Sequence, residues 1–176
     1  MADVSRLAGS RSVDSEAIVQ VDGVTIVGDG TSDDPVRLAD PGQTQATFLP
    51  DLPTSPFVGE VVSSADESGA VAPSSAGVGG RPAAIGVITA IDDSFDPPSV
   101  TVRGVGLIIL SAQEWDVVTG GTGGLSAGVP YYVSSTQIGH LVTVKPSASG
   151  TFVAQVGVAL NATTLAPSLP AAPVVN

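Results

Sequence analysis

The side chains that could support nucleophilic catalysis are few in this sequence. It contains no cysteine, and His140, between Gly139 and Leu141, is its only histidine. A serine or threonine nucleophile needs a base held within hydrogen-bond reach, and a lone histidine at a predicted strand start is weak support for such a pair. We therefore interpret His140 as a turn or strand-edge residue and expect no catalytic residue here.

Carboxylates are the next candidates, because paired acids can hydrolyse glycosidic bonds and clustered acids can hold calcium. The pairs lie in predicted turns or in the helical segment, where such side chains are usually solvated or accept backbone amides. No segment matches the Asp-x-Asp-x-Asp-Gly calcium loop, and no Gly-rich loop is followed by Gly-Lys-Ser. We predict no metal site and no cofactor, and we keep a polysaccharide depolymerase using Asp92, Asp93 or Glu114 as a minor alternative.

Aromatic residues make up only 4% of the chain. Trp115, Tyr131 and Tyr132 could form a surface on which sugar rings stack, since aromatic rings present flat apolar faces. The structural interpretation is stronger, because one tyrosine of an adjacent pair in a strand points inward and Trp115 can close one end of a core. Ligand stacking by these three residues stays an alternative.

The elements that must position these side chains are mostly strands. Branched apolar runs bounded by Gly, Pro, Asn or Ser recur along the chain, which predicts a mainly β fold, an antiparallel β-sandwich or a small β-barrel. Asp22-Gly23 between two β-branched runs predicts a hairpin. Ser111 with Glu114 three residues later predicts a helix start, with the helical turn running to Val118. Glycines at 86 and 157, each between branched residues, suggest bulges or close backbone approaches.

The spacing of prolines and charges divides the chain. Residues 1–45 form a predicted extended arm and small hairpin, residues 46–57 a Pro-rich linker, residues 58–165 the β-domain and residues 166–176 an extended tail. Acidic residues concentrate before residue 101. The part after it has two acids, Glu114 and Asp116, and two bases, Arg103 and Lys145.

The net charge of −11 repels phosphate backbones and anionic membrane surfaces, so we expect neither nucleic acid nor a membrane as a partner. No apolar run approaches the length of a membrane-spanning helix, and no signal peptide is apparent. A neutral, Gly-rich C-terminal part is typical of surfaces that contact other subunits. We therefore expect self-association.

Two segments resemble proteins of tailed-bacteriophage particles. Residues 124–134, followed by Gly139-His140-Leu141-Val142-Thr143 and Val156-Gly157-Val158-Ala159-Leu160, resemble a β-barrel or β-sandwich module of head decoration proteins, head fibres and tail appendages. Val24 to Leu38, with Gly28-Asp29-Gly30-Thr31-Ser32, resembles a segment of phage fibre and appendage proteins, although Val36 stands where leucine is usual.

The resemblance implies a structural role in the virion, as a capsid decoration, head fibre or spike protein that assembles in the cytoplasm of a bacterial host. The implied partners are other copies of the chain, as a homotrimer, and major capsid or other virion proteins. Docking is expected through the N-terminal region, with Asp22, Gly23, Gly28, Asp29 and Gly30 in its turns. The alternative is a tail appendage that binds a receptor or a host surface glycan.

Overall fold

A computed structural model of the chain describes residues 19–21, 24–27, 37–38, 43–49, 55–65, 69–169 and 173–176. These residues are mainly β, and their sheets are antiparallel, which confirms the predicted fold class. The elements, in chain order, are β1 (Val19–Val21), β2 (Val24–Val27), β3 (Arg37–Leu38), β4 (Gln43–Thr47), β5 (Val61–Ser64), β6 (Val71–Pro73), β7 (Ala84–Asp92), β8 (Ser99–Arg103), β9 (Ile108–Ile109), α1 (Ala112–Thr119), β10 (Pro130–Val133), β11 (Leu141–Val142), β12 (Phe152–Val153), β13 (Gln155–Asn161), β14 (Thr164–Pro167) and β15 (Val174–Val175).

The chain divides into two compact units, Met1–Pro41 and Gly42–Asn176. In the first unit, β1, β2 and β3 form a small antiparallel sheet in that order. Val21 pairs with Val24, so β1 and β2 are adjacent antiparallel strands, as the hairpin prediction requires. The predicted docking residues Asp22, Gly23, Gly28, Asp29 and Gly30 themselves lie outside the described residues.

The second unit contains a sheet with the order β4-β8-β7-β5-β6, which we call the first sheet. It curls until its two edges meet, because Phe48, just after β4, forms a parallel bridge with Val71 of β6. The amide of Leu49 donates to the carbonyl of Val71 at 2.7 Å. The contact is a single bridge rather than a ladder, so the described strands do not close into a barrel.

The second sheet has the order β11-β10-β13-β14-β9. The helix α1 follows its edge strand β9 and begins at Ser111, whose hydroxyl accepts from the amide of Glu114 in the predicted capping box. It ends at Gly120, which takes the left-handed conformation. Strands β12 and β15 form a separate antiparallel pair.

Consecutive strand residues point to opposite sides of a sheet, and the first sheet uses both sides. Val62 and Ile88 pack with Phe48 in a small core that the curled sheet encloses. Their neighbours Val61 and Val87 point the other way, into a larger core shared with the second sheet and α1. The two sheets are thereby joined through one apolar core, as in a sandwich.

Both sheets contain the glycine that the sequence marked. Gly86 pairs with Val62 and Gly157 pairs with Tyr131, and in each case the register shifts directly after that partner. A side chain on Gly86 would meet the backbone of Arg103, and one on Gly157 would meet the carbonyl of Ala166. Each glycine therefore permits a close approach of the next strand beside a bulge.

The strand boundaries differ from the expected domain plan in two places. β4 spans residues that we assigned partly to the arm and partly to the linker, and it pairs along its whole length with β8. Its sequence, Gln-Thr-Gln-Ala-Thr, lacks an apolar alternation because it is largely exposed. In the predicted tail, Val174–Val175 pairs with Phe152–Val153.

Candidate functional site

His140 lies in the turn before β11 and holds the end of the helix. Its Nδ1 atom is 3.0 Å from the carbonyl oxygen of Val118, and its ring lies 5.3 Å from that of Phe57, centre to centre. Because a carbonyl can only accept, Nδ1 carries the proton in this contact. The imidazole satisfies one of the carbonyls left unpaired in the last turn of a helix.

Three acids in the described turns and helix accept hydrogen bonds from nearby groups. Asp92 accepts from the hydroxyl and amide of Ser94, and these bonds lower the pKa of its carboxyl. Glu114 accepts from the amide and hydroxyl of Ser111, both at 2.7 Å. Asp116 accepts from the amides of Gly123 and Gly124 at 3.0 and 2.6 Å. These carboxylates order the local backbone.

The spacing Gly-x-Ser-x-Gly occurs at residues 124–128, a match that our sequence interpretation overlooked. In the hydrolases that share this motif, the serine occupies a sharp turn from a strand into a helix. Here the order is reversed, because α1 precedes the motif and β10 follows it. The amide of Ser126 donates to the hydroxyl of Tyr131 at 2.9 Å, so this motif forms a turn that is anchored to the core.

Glu60 is a buried acid that the sequence did not single out. Glu60 is 3% exposed, and burial raises the pKa of its carboxyl to about 7. The hydrogen bond from the amide of Phe57 lowers that pKa by a smaller amount. That amide donates to Oε2 over 3.4 Å. A side chain on Gly139 would overlap the carboxylate, so this glycine leaves the space that Glu60 occupies. The one feature of the sequence that we can connect with this contact is Gly139, directly before His140.

The three predicted stacking residues do not present a common surface. Trp115 and Tyr131 are buried in the larger core, and the indole N–H of Trp115 donates to the carbonyl of Thr163. Neither offers a ring face to solvent. Tyr132 is half-buried and points to the other side of β10, as alternation requires. Ligand stacking therefore stays a prediction only for Tyr132.

A groove of about 400 Å³ lies between the end of α1 and β11. Its lining contains no charged side chain. The lining combines hydroxyl groups, apolar side chains and glycines of the glycine-rich loop; the lining residues are Thr119, Gly121, Thr122, Gly124, Ser126, Tyr131, Leu141, Val142, Thr143 and Val144. Such a mixture suits a neutral ligand with hydroxyl groups.

The most distinctive surface is the exposed margin of the second sheet at β9, together with the segment that leads into it from the end of β8; we call this surface the β9 edge and define it as residues 103–111. Val105, Leu107 and Ile109 are 61%, 45% and 67% exposed. Three large apolar side chains so close together at a sheet margin are unusual for an isolated soluble domain. This surface is the best candidate for a contact with another protein.

Within the residues that the structure describes, no three metal-binding side chains lie close enough to hold an ion. The helix found among them is too short to cross a membrane. Comparison with models of protein families gives no match for this chain, and comparison with curated proteins gives none either.

Proposed function

We propose that this chain is a structural protein of a tailed-bacteriophage particle, a decoration, head-fibre or spike protein that assembles in the host cytoplasm and acts through oligomeric packing. The single observation that carries the proposal is the second sheet. The segments that resemble the phage virion module form β10, β11 and β13, which lie side by side at one end of the second sheet.

The use of the polar side chains supports the same proposal. Four of these side chains form hydrogen bonds with nearby groups of the same chain: Asp92, Glu114, Asp116 and His140. A structural protein needs such side chains to hold loops and helix ends, since its affinity for neighbours comes from buried area rather than from a reactive group. Exposed apolar residues at the β9 edge provide area of this kind.

The decisive experiment asks whether the chain is part of the particle. Purified virions of the phage that encodes it are separated by density gradient, and their proteins are identified and counted by mass spectrometry. We expect the chain in a fixed ratio to the major capsid protein. A chain recovered only from the lysate and never from purified particles would overturn the proposal.

A truncation then tests docking by the first unit. Removing residues 1–41 leaves β4 in place beside β8, whereas a cut at residue 45 would remove three of the five residues of this strand. We expect the shortened protein to fold but to be absent from particles when it replaces the full chain. Incorporation at the normal ratio would place docking in the second unit.

The groove of about 400 Å³ favours one second candidate, a module that binds a neutral host glycan. Isothermal titration of the full chain with neutral oligosaccharides tests it. Binding that Thr143→Tyr abolishes by filling the groove, and that the exposed control Ser149→Tyr leaves unchanged, would support the glycan module. Absence of binding at millimolar glycan would exclude it.

A further inference from the structure

The strand β9 pairs on one side only among the described strands, with β14. Leu110 donates its amide to the carbonyl of Thr163, and Ile109 pairs with Thr164 in the same register. Backbone groups in an antiparallel ladder alternate in direction, residue by residue. Because Leu110 points its amide toward β14, Ile109 points its amide and carbonyl away from β14, toward the open side.

The two positions that flank Ile109 on this open side are covered by side chains of opposite charge. Arg103 donates from its guanidinium to the carbonyl of Leu107 at 3.0 Å. Glu114 accepts from the amide of Ser111 at 2.7 Å. Along the β9 edge, an exposed pair of backbone groups at Ile109 thus lies between a positive and a negative group.

The opposite margin of the second sheet is built differently. Strand β11 is followed closely by Lys145 and Pro146, and both residue types discourage the addition of another strand. The β9 edge has neither a lysine nor a proline, and it carries the exposed side chains of Val105, Leu107 and Ile109. A groove of about 330 Å³ lies between Leu107 and Ile109 on one side and residues of β4, β7 and β8 of the first sheet on the other.

We propose that two copies of this chain pair through their β9 edges, antiparallel and around a two-fold axis at Ile109. The proposal rests on the structural role proposed above and names the contact through which copies of the chain associate. Ile109 faces Ile109 of the second copy and exchanges two backbone hydrogen bonds with it. Leu107 then faces Ser111 of the second copy.

Charge complementarity is what selects a second copy as the partner. In this register, Arg103 beside Leu107 comes next to Glu114 of the second copy, and the two-fold axis repeats the same pair on the other side. The contact lies in the part of the chain with balanced charge, whereas the rest carries the whole net charge of −11 and repels other copies. A self-complementary edge of this kind joins chains in pairs.

The test measures the mass of the full chain by light scattering after size exclusion, over a range of concentrations and at two salt concentrations. We expect a mass near twice 17.3 kDa. Ile109→Lys should weaken pairing by about tenfold or more, since it places two like charges on the axis. The matched control Val144→Lys changes another highly exposed apolar residue, outside the β9 edge, and should leave the mass unchanged.

Charge reversal separates the proposed contact from a merely structural role. Arg103→Glu and Glu114→Lys should each weaken pairing by about tenfold, and the double variant should restore it. Circular dichroism controls for loss of the helix cap in Glu114→Lys. Failure of the double variant to recover pairing would overturn the proposed register.

The outcomes also distinguish this contact from the proposed function. A chain that stays monomeric, or that forms the trimer implied by the phage resemblance regardless of Ile109→Lys, overturns the β9 contact, and the presence of the chain in particles decides the function separately. Pairing in solution by a chain that is absent from particles would support the contact and contradict the virion role.

Discussion

The two sheets of the second unit share one feature, a glycine beside a bulge, but their edges differ. Each places a glycine, Gly86 or Gly157, beside a bulge, where the next strand comes close. The first sheet then brings its edges together at Phe48, which bridges to β6. The second sheet stays open at β9, where apolar side chains are exposed.

This difference indicates which sheet edge can contact another protein chain. A sheet whose margins meet, or end in polar residues such as those of β4, offers little to a partner strand. A sheet that ends in exposed branched residues with outward backbone groups is ready to accept one. We therefore expect folding stability to depend on the meeting of the first sheet's edges at Phe48, and association to depend on the β9 edge.

Phe48→Ala should have the largest effect, because it removes the ring at the closure of the first sheet. The ring is fully buried, and truncating such a side chain costs about 3–5 kcal/mol of unfolding free energy. Urea unfolding followed by fluorescence measures it. Phe95→Ala, at a ring that is 60% exposed, should change stability by only about 0.5 kcal/mol. Equal effects would contradict the closure at Phe48.

Glu60→Gln tests the junction where the loop before β5 meets the turn at Gly139. The folded-state pKa is raised from 4.5 to about 7, so the neutral carboxyl stabilises the fold at low pH and that stability is lost as pH rises toward and through 7. We expect the variant to match the natural protein near pH 4 and to be more stable by about 3 kcal/mol at pH 8.

Thermal unfolding across this pH range gives the comparison for Glu60, with the exposed Asp93→Asn as the control. A stability difference that did not grow between pH 4 and pH 8 would show that the carboxyl is not buried as described.

Gly86→Ala and Gly157→Ala test whether the two sheets use their glycines alike. Each added methyl group meets backbone of the neighbouring strand, which should destabilise the fold by about 1–3 kcal/mol. Gly121→Ala is the control, because its methyl group would meet only one side-chain atom, the hydroxyl oxygen of Thr119, and no backbone. Denaturant midpoints measure all three. Destabilisation by only one of Gly86→Ala and Gly157→Ala would show that the two sheets do not use their glycines alike.

Ser111→Ala should have the smallest effect, about 1 kcal/mol, because it removes the two hydrogen bonds that the serine hydroxyl makes with Glu114 in the helix cap beside the β9 edge. Differential scanning calorimetry measures it, with the exposed Ser126→Ala as the reference. If Ser111→Ala cost no more stability than the reference, the capping box would contribute nothing at this end of the second sheet.

Local patterns predicted much of the second unit. Ser111 and Glu114 identify the helix start because a capping box involves only residues within one turn. Branched runs identify most strands because side chains alternate between the faces of a sheet. The pattern could not find β4, since an edge strand with exposed polar residues looks like a connector, and it could not show that Trp115 and Tyr131 are buried on the same core.

What the sequence by itself determined is the class of fold, the antiparallel pairing of β1 with β2, the helix cap and the two glycines, all of which depend on neighbours in the chain. Only the tertiary structure decided which sheet margins meet, where Glu60 is buried and why Arg103 and Glu114 lie on either side of Ile109. These features depend on pairings between residues far apart in sequence, and no local preference determines such a pairing.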